Sequence, residues 1–281
     1  APFLGFANRS LQGGRAARHA HRQASFRRGP GRLVFEPLEG RNLLSVDLLG
    51  GFAGMEFSTA FEDIANPPDA PVAAGPNHLV EAVNHRLAFF NKANGQEIFE
   101  QRFSDFFASV GAVPSNSPGG ILTGFDPRVT YDESAGRFVV FALEQDSNLR
   151  TSHALVAVSD DANPVGNWEM HRIDVEEADT YFWDYTGLGW DADAIYLTGN
   201  MVPWPGTAKD VHASVLTIDK ASVLDGNNDT ITCYQVDLPG LFVVQPAVMH
   251  GAKPGDPMYF AASWRSDKGG GWNHGNVEIL R

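Results

Sequence analysis

The chain has 281 residues, with 29 glycines, 17 prolines, 11% aromatic residues and a formal net charge of −13. It holds no run of about 18 apolar residues, which excludes a transmembrane helix, and its one cysteine, Cys233, excludes an intrachain disulfide and a cysteine-based zinc site. The charge is divided: residues 1–45 carry eight arginines against Glu36 and Glu39, and the remainder carries 13 basic against 32 acidic residues, which excludes nucleic acid as the main partner of the acidic body.

Residues 1–34 are rich in Arg, Gly, Ala and His without apolar periodicity, and they read as a disordered basic leader. Residues 35–45 read Phe-Glu-Pro-Leu-Glu-Gly-Arg-Asn-Leu-Leu-Ser. On Phe35, Leu38, Glu39, Arg41, Leu43, Leu44 and Ser45 this segment resembles the LEPR-XLL-type motif near the N-terminus of large planctomycete surface and secreted proteins. The resemblance implies an extracellular or cell-surface location. No apolar signal-peptide core precedes the motif, and a short amphipathic helix is the other reading of it. Residues 46–68 form a linker or transition that ends in Asn66-Pro67-Pro68.

From residue 69 onward the chain reads as an all-β, propeller-like array of four-stranded blades. The clearest stretch is 126–142, in which Val129 and Tyr131 alternate with polar neighbours, residues 132–136 supply a turn, and 138–141 is a β-branched and aromatic run. Strands are expected at 72–74, 78–83, 87–91 and 97–103 in the first blade, with Asn94-Gly95 as a hairpin turn. The second blade takes 128–131, 137–143, 154–159 and 168–174. The third takes 186–189, 194–199, 214–219 and 232–238. The fourth takes 247–249, 258–263 and 277–280, so about three and a half blades are expected, as part of a longer exported protein. Cys233 falls in a strand pattern and is expected to be a small buried residue. Residues 104–125 and 200–213 read as loops, the second carrying Trp204 between two prolines.

Four residues stand six positions ahead of the turn or strand end in each repeat: Asp69, Asp126, Asp184 and Gln245, spaced 57, 58 and 61 residues apart. The first strand of a propeller blade runs along the central channel, so these four are expected to ring one channel face. Two readings follow. Converging carboxylates and an amide oxygen suit a hard cation such as Ca²⁺, with Asp69, Asp126 and Asp184 as ligands; alternatively the four side chains cap nearby backbone N–H groups in turns. Trp183, Tyr185 and Trp204 form a glycan platform in one reading and blade-to-blade packing in the other.

Several stretches from about residue 67 onward, among them 74–80, 126–132, 157–159 with Trp168, and Asp219-Lys220, resemble large secreted bacterial proteins with a propeller-like domain. The resemblance implies a fold and no particular activity. Ser159-Asp160-Asp161 with Gly166-Asn167-Trp168, and the segment 265–272, resemble the turns of sialidase-type propellers, which stabilise the fold. Residues 225–229 read as a surface turn, and His78, His153, His171 and His212 fall singly in or beside strands without a metal-binding spacing. No nucleophile elbow or phosphate loop is present. The function expected from these features is a non-enzymatic surface or extracellular module that binds a protein or glycan. The alternative is a sialidase-like glycoside hydrolase using channel-face carboxylates, with Asp184, Tyr185, Asp126 and Arg128 as its only grouping.

Overall fold

The computed structural model describes residues 50–55, 67–116, 120–175, 179–207, 210–226, 230–264 and 277–281. The chain divides into residues 1–48 and 49–281. The first unit, with the leader and the 35–45 motif, lies outside the described residues. So does the 265–272 turn.

The second unit is an all-β, propeller-like array. Blade one holds β1 (Val72–Ala74), β2 (His78–Val83), β3 (Arg86–Asn91) and β4 (Glu97–Arg102). Blade two holds β5 (Ile121–Asp132), β6 (Arg137–Asp146), β7 (Thr151–Ser159) and β8 (Trp168–Asp174). Blade three holds β9 (Tyr181–Trp190), β10 (Ala194–Pro203), β11 (His212–Asp219) and β12 (Cys233–Leu238). Blade four shows three described strands, β13 (Leu241–Pro246), β14 (Phe260–Trp264) and β15 (Val277–Leu280). Each sheet is an antiparallel meander. The inner strands lie side by side, β1 against β5, β5 against β9 and β9 against β13.

The two-residue side-chain period of a strand explains how the blades stack. Along β6, Phe138, Val140 and Ala142 pack toward blade one, in a cluster with Val80, Leu87 and Phe89. The alternate residues Val139, Phe141 and Leu143 pack toward blade three, against Trp183, Trp190, Leu197 and Leu216. A strand buried on both faces has to read as a continuous apolar run, and β6 does. A smaller cluster of Ala213, Val215, Leu241, Val244 and Ala262 joins blades three and four. The outer strands β4 and β12 are largely exposed.

Several expected boundaries move. Residues 200–213 are not one loop: β10 runs to Pro203, and Trp204 is buried against Phe182. Residues 104–125 contain the last three residues of a four-residue helix, α1 (Phe103–Phe106), and the first five residues of β5. The inner strand of blade four is β13, and 247–249 contributes only an isolated parallel bridge between Val248 and Trp190. Cys233 is exposed at the start of the outer strand of blade three, beside the likewise exposed Tyr234. Part of the transition segment packs on blade one: the Phe52 ring lies 5.7 Å from Phe90, and the Met55 N–H donates to Glu81 Oε2 at 2.9 Å.

Candidate functional site

Asp69 precedes its strand, whereas Asp126, Asp184 and Gln245 lie inside β5, β9 and β13. They lie where the inner strand of each blade bulges. In blade two, Phe125 pairs with Leu143 and Arg128 with Phe141, so Asp126 and Pro127 together face Ala142. In blade three, Tyr185 and Thr186 face Gly199; in blade four, Val243 and Val244 face Ala262. In blade one the Asn84 N–H donates to Pro68 O and the Ala82 N–H to Pro71 O, leaving Asp69 and Ala70 against Val83. A bulge sets two residues against one and re-aims the first of them.

The first bulge residue has a positive φ in every blade: 45° at Asp69, 48° at Asp126, 57° at Tyr185 and 54° at Val243. A left-handed conformation at a non-glycine residue costs about 1–3 kcal/mol and collects at functional sites. The equivalent positions are thus Asp69, Asp126, Tyr185 and Val243, spaced 57, 59 and 58 residues apart. Asp184 comes one residue before its blade's equivalent position and Gln245 two after. Counting six residues back fails there because it starts from Trp190 and Gly251, whereas the residues six positions after Tyr185 and Val243 are Asp191 and Met249.

The bulges are tied blade to blade by hydrogen bonds from the strained N–H groups. The Asp126 N–H donates to Asn84 Oδ1 at 2.8 Å, the Tyr185 N–H to Asp126 Oδ2 at 2.8 Å, and the Val243 N–H to Asn200 Oδ1 at 2.9 Å. Asn84 Nδ2 also donates to Asp69 Oδ2 at 2.9 Å. Arg128 Nε and Gln245 Nε2 both donate to Thr186 O, at 3.1 and 3.4 Å, and Thr186 Oγ1 donates to Asp126 O at 2.5 Å. Asp69, Asp126, Asp184 and Gln245 thus lie in, or within two residues of, the inner-strand bulges. Sequence reasoning missed Asn84 and Asn200. Positions 84, 143 and 200 are 59 and 57 residues apart, but Leu143 interrupts the asparagine pattern, so the correspondence emerges only from the strand pairing.

The carboxylates feel one another. Burial pushes the Asp126 carboxyl above its ordinary value and the charge of Asp69 adds to that, while the Tyr185 N–H and Arg128 oppose it. Desolvation by the surrounding protein raises Asp184 as well, assisted by the charge of Asp126 and opposed by the Tyr185 N–H. Among the described residues, no three or more His, Cys, Asp or Glu come together in metal-binding geometry.

The aromatic platform divides. Trp183 is fully buried between blades two and three, where Gly199 leaves room for its ring: a Cβ there would stand 2.7 Å from Trp183 Cδ2. Trp204 is 4% exposed. Neither can stack on a ligand; Tyr185, 46% exposed, can. The sialidase-type turn is structural, as read: Ser159 Oγ accepts the Phe138 N–H at 2.8 Å, and Trp168 Nε1 donates to Pro164 O at 2.8 Å.

No protein-family model matches the chain, and no curated protein matches it. Among solved structures it is similar to a GH43 endo-arabinanase from Bacillus licheniformis, at 14% identity and a TM-score of 0.39, over 75% of this chain and 69% of that one. An arabinanase of Bacillus subtilis aligns at 13% identity and a TM-score of 0.38, over 70% and 65%. A sucrose-6-phosphate hydrolase from Lactobacillus gasseri aligns at 13% and 0.37, over 70% and 41%. Two of the three platform aromatics are absent from the surface, and the coupled carboxylates are present. The expectation of a non-enzymatic binding module is corrected accordingly.

Proposed function

We propose that the inner-strand face is a glycoside-hydrolase site in which Asp69, Asp126 and Asp184 act on a neutral glycan. The reading is carried by one observation: aspartates from three successive blades are electrostatically coupled, and two of them have raised carboxyls. Glycosidic cleavage needs one protonated carboxyl to donate to the leaving oxygen and one ionised carboxylate on the other side of the sugar. Asp184, solvent-accessible and raised, is the acid. Asp69, held by Asn84, is the base or nucleophile. Asp126 stands electrostatically between them, its Oδ2 fixed on the Tyr185 N–H, and adjusts both. Tyr185 offers a ring for the apolar face of a sugar.

The acidic face favours uncharged sugars. Arg128, the cation beside Asp126, donates from Nε to Thr186 O and from Nη1 to Pro127 O, so a sialidase-like grip on an anionic sugar has little support. The test is a panel of aryl glycosides, neutral and sialylated. Neutral substrates are expected to turn over, with a loss of about 10²–10⁴-fold in Asp184→Asn. No turnover across the panel, or an Asp184→Asn variant as active as the parent, overturns the reading.

Such a site works on material outside the cell, in keeping with the LEPR-XLL resemblance of residues 35–45. No helix among the described residues is long and apolar enough to cross a membrane. Fractionation of cells expressing the chain with and without residues 35–45 tests export: the protein is expected outside only when the motif is present.

A further inference from the structure

Resting on that reading of the site, we infer that Asn84 is a positioning residue that sets two of the carboxylates relative to each other. Asn84 is 8% exposed, and its amide is fully engaged. Nδ2 donates to Asp69 Oδ2 at 2.9 Å and to Pro67 O at 2.8 Å, while Oδ1 accepts the Asp126 N–H at 2.8 Å. An amide has two N–H donors and one carbonyl acceptor, and here each group is used. Its orientation is fixed, because Pro67 O can only accept and the Asp126 N–H can only donate. One small side chain therefore selects the rotamer of the Asp69 carboxylate and holds the Asp126 backbone at its strained φ of 48°.

The other blade junctions separate this role from simple joining. At the junction of blades three and four, Asn200 occupies the equivalent position, and its Oδ1 accepts the Val243 N–H at 2.9 Å. It ties a bulge that carries no acid. At the junction of blades two and three, the equivalent residue is Leu143, and Asp126 itself accepts the Tyr185 N–H. The hydrogen bonds thus run from Asp69 through Asn84 to Asp126, and from Asp126 to the residue after Asp184. Asn84 alone in this series touches one acid through its side chain and a second through its backbone.

The experiment compares Asn84→Leu, which installs the residue of the next blade, with Asn84→Asp and with Asn200→Leu. Asn84→Asp keeps the acceptor for the Asp126 N–H and removes the donor to Asp69, so it also serves if the leucine variant fails to fold. Two readouts are taken. One is the titration of the Asp126 carboxyl, followed by ¹³C NMR in the full chain; the charged groups acting on it are Asp69, Asp184 and Arg128. The other is turnover of a neutral aryl glycoside. Both Asn84 variants are expected to move the Asp126 titration, and kcat falls about 100-fold with KM little changed, as for a misplaced catalytic group. Asn200→Leu lowers the melting temperature and leaves both readouts in place. If the parent turns over no glycoside and the titration still follows Asn84, the positioning stands and the hydrolase reading falls. An Asp126 titration unmoved by both Asn84 variants, with kcat tracking melting temperature in all three, overturns the proposal.

Discussion

Asp126 shows how much one residue's chemistry depends on its neighbours. Its carboxylate closes a blade junction through the Tyr185 N–H, and its ionisation is opposed by burial and by Asp69. A carboxyl raised in the folded state binds more protons there than in the unfolded chain. Its contribution to stability is therefore full below the ordinary value of 3.8 and is lost as pH rises through the raised value. Asp126→Asn keeps an acceptor for Tyr185 and removes the charge. It is expected to melt above the parent at pH 7, with the gap closing below pH 3.8, in thermal melts across that range. Asp126 was legible in the sequence because it precedes a proline and recurs in other repeats. Asn84 was not, because a single asparagine at a strand end carries no signal until the strands are aligned in space.

At the scale of the strand, the inner strands approach their neighbours so closely that glycine is required. A Cβ on Gly189 of β9 would stand 2.3 Å from Ala247 O and 2.8 Å from Pro246 Cβ in blade four. Backbone cannot swing aside as a side chain can. Gly189→Ala should therefore destabilise by about 1–3 kcal/mol, the usual cost of overpacking, although alanine is otherwise the easier residue to order. Urea titration measures it, and a stability at or above the parent's would contradict the close approach. The middle strands were legible because β6 and β7, buried on both faces, are continuous apolar runs. The inner strands were read too short. Asp126-Pro127 and Asp184-Tyr185 look like turns in sequence, whereas bulges carry the chain through them without leaving the sheet.

The blades also meet at the opposite ends of their inner strands, around a buried charge. Lys220, in α2 (Lys220–Leu224), pairs with Asp132 Oδ2 at 2.6 Å, with both side chains almost fully buried. The same ammonium donates to Asp191 O and lies 4.9 Å from the centre of the Trp190 ring. Asp132 belongs to blade two and Lys220 to blade three, so this pair fastens one sheet to the next. Removing one partner of a buried pair leaves the other charge uncompensated, and Lys220→Met should cost about 3–5 kcal/mol in denaturant titrations. A loss within the range of an exposed pair, about 0–1 kcal/mol, would show that water reaches Asp132.

The joint through Asp126 differs from its neighbours in kind: two junctions are closed by asparagine amides, and this one by an ionisable group. In the proposed hydrolase site, heat resistance and turnover therefore pull on the same two oxygen atoms. A library selected only for survival at high temperature would shed this aspartate early, and one selected only for catalysis would keep it. Sequencing both pools would display the conflict at a single codon.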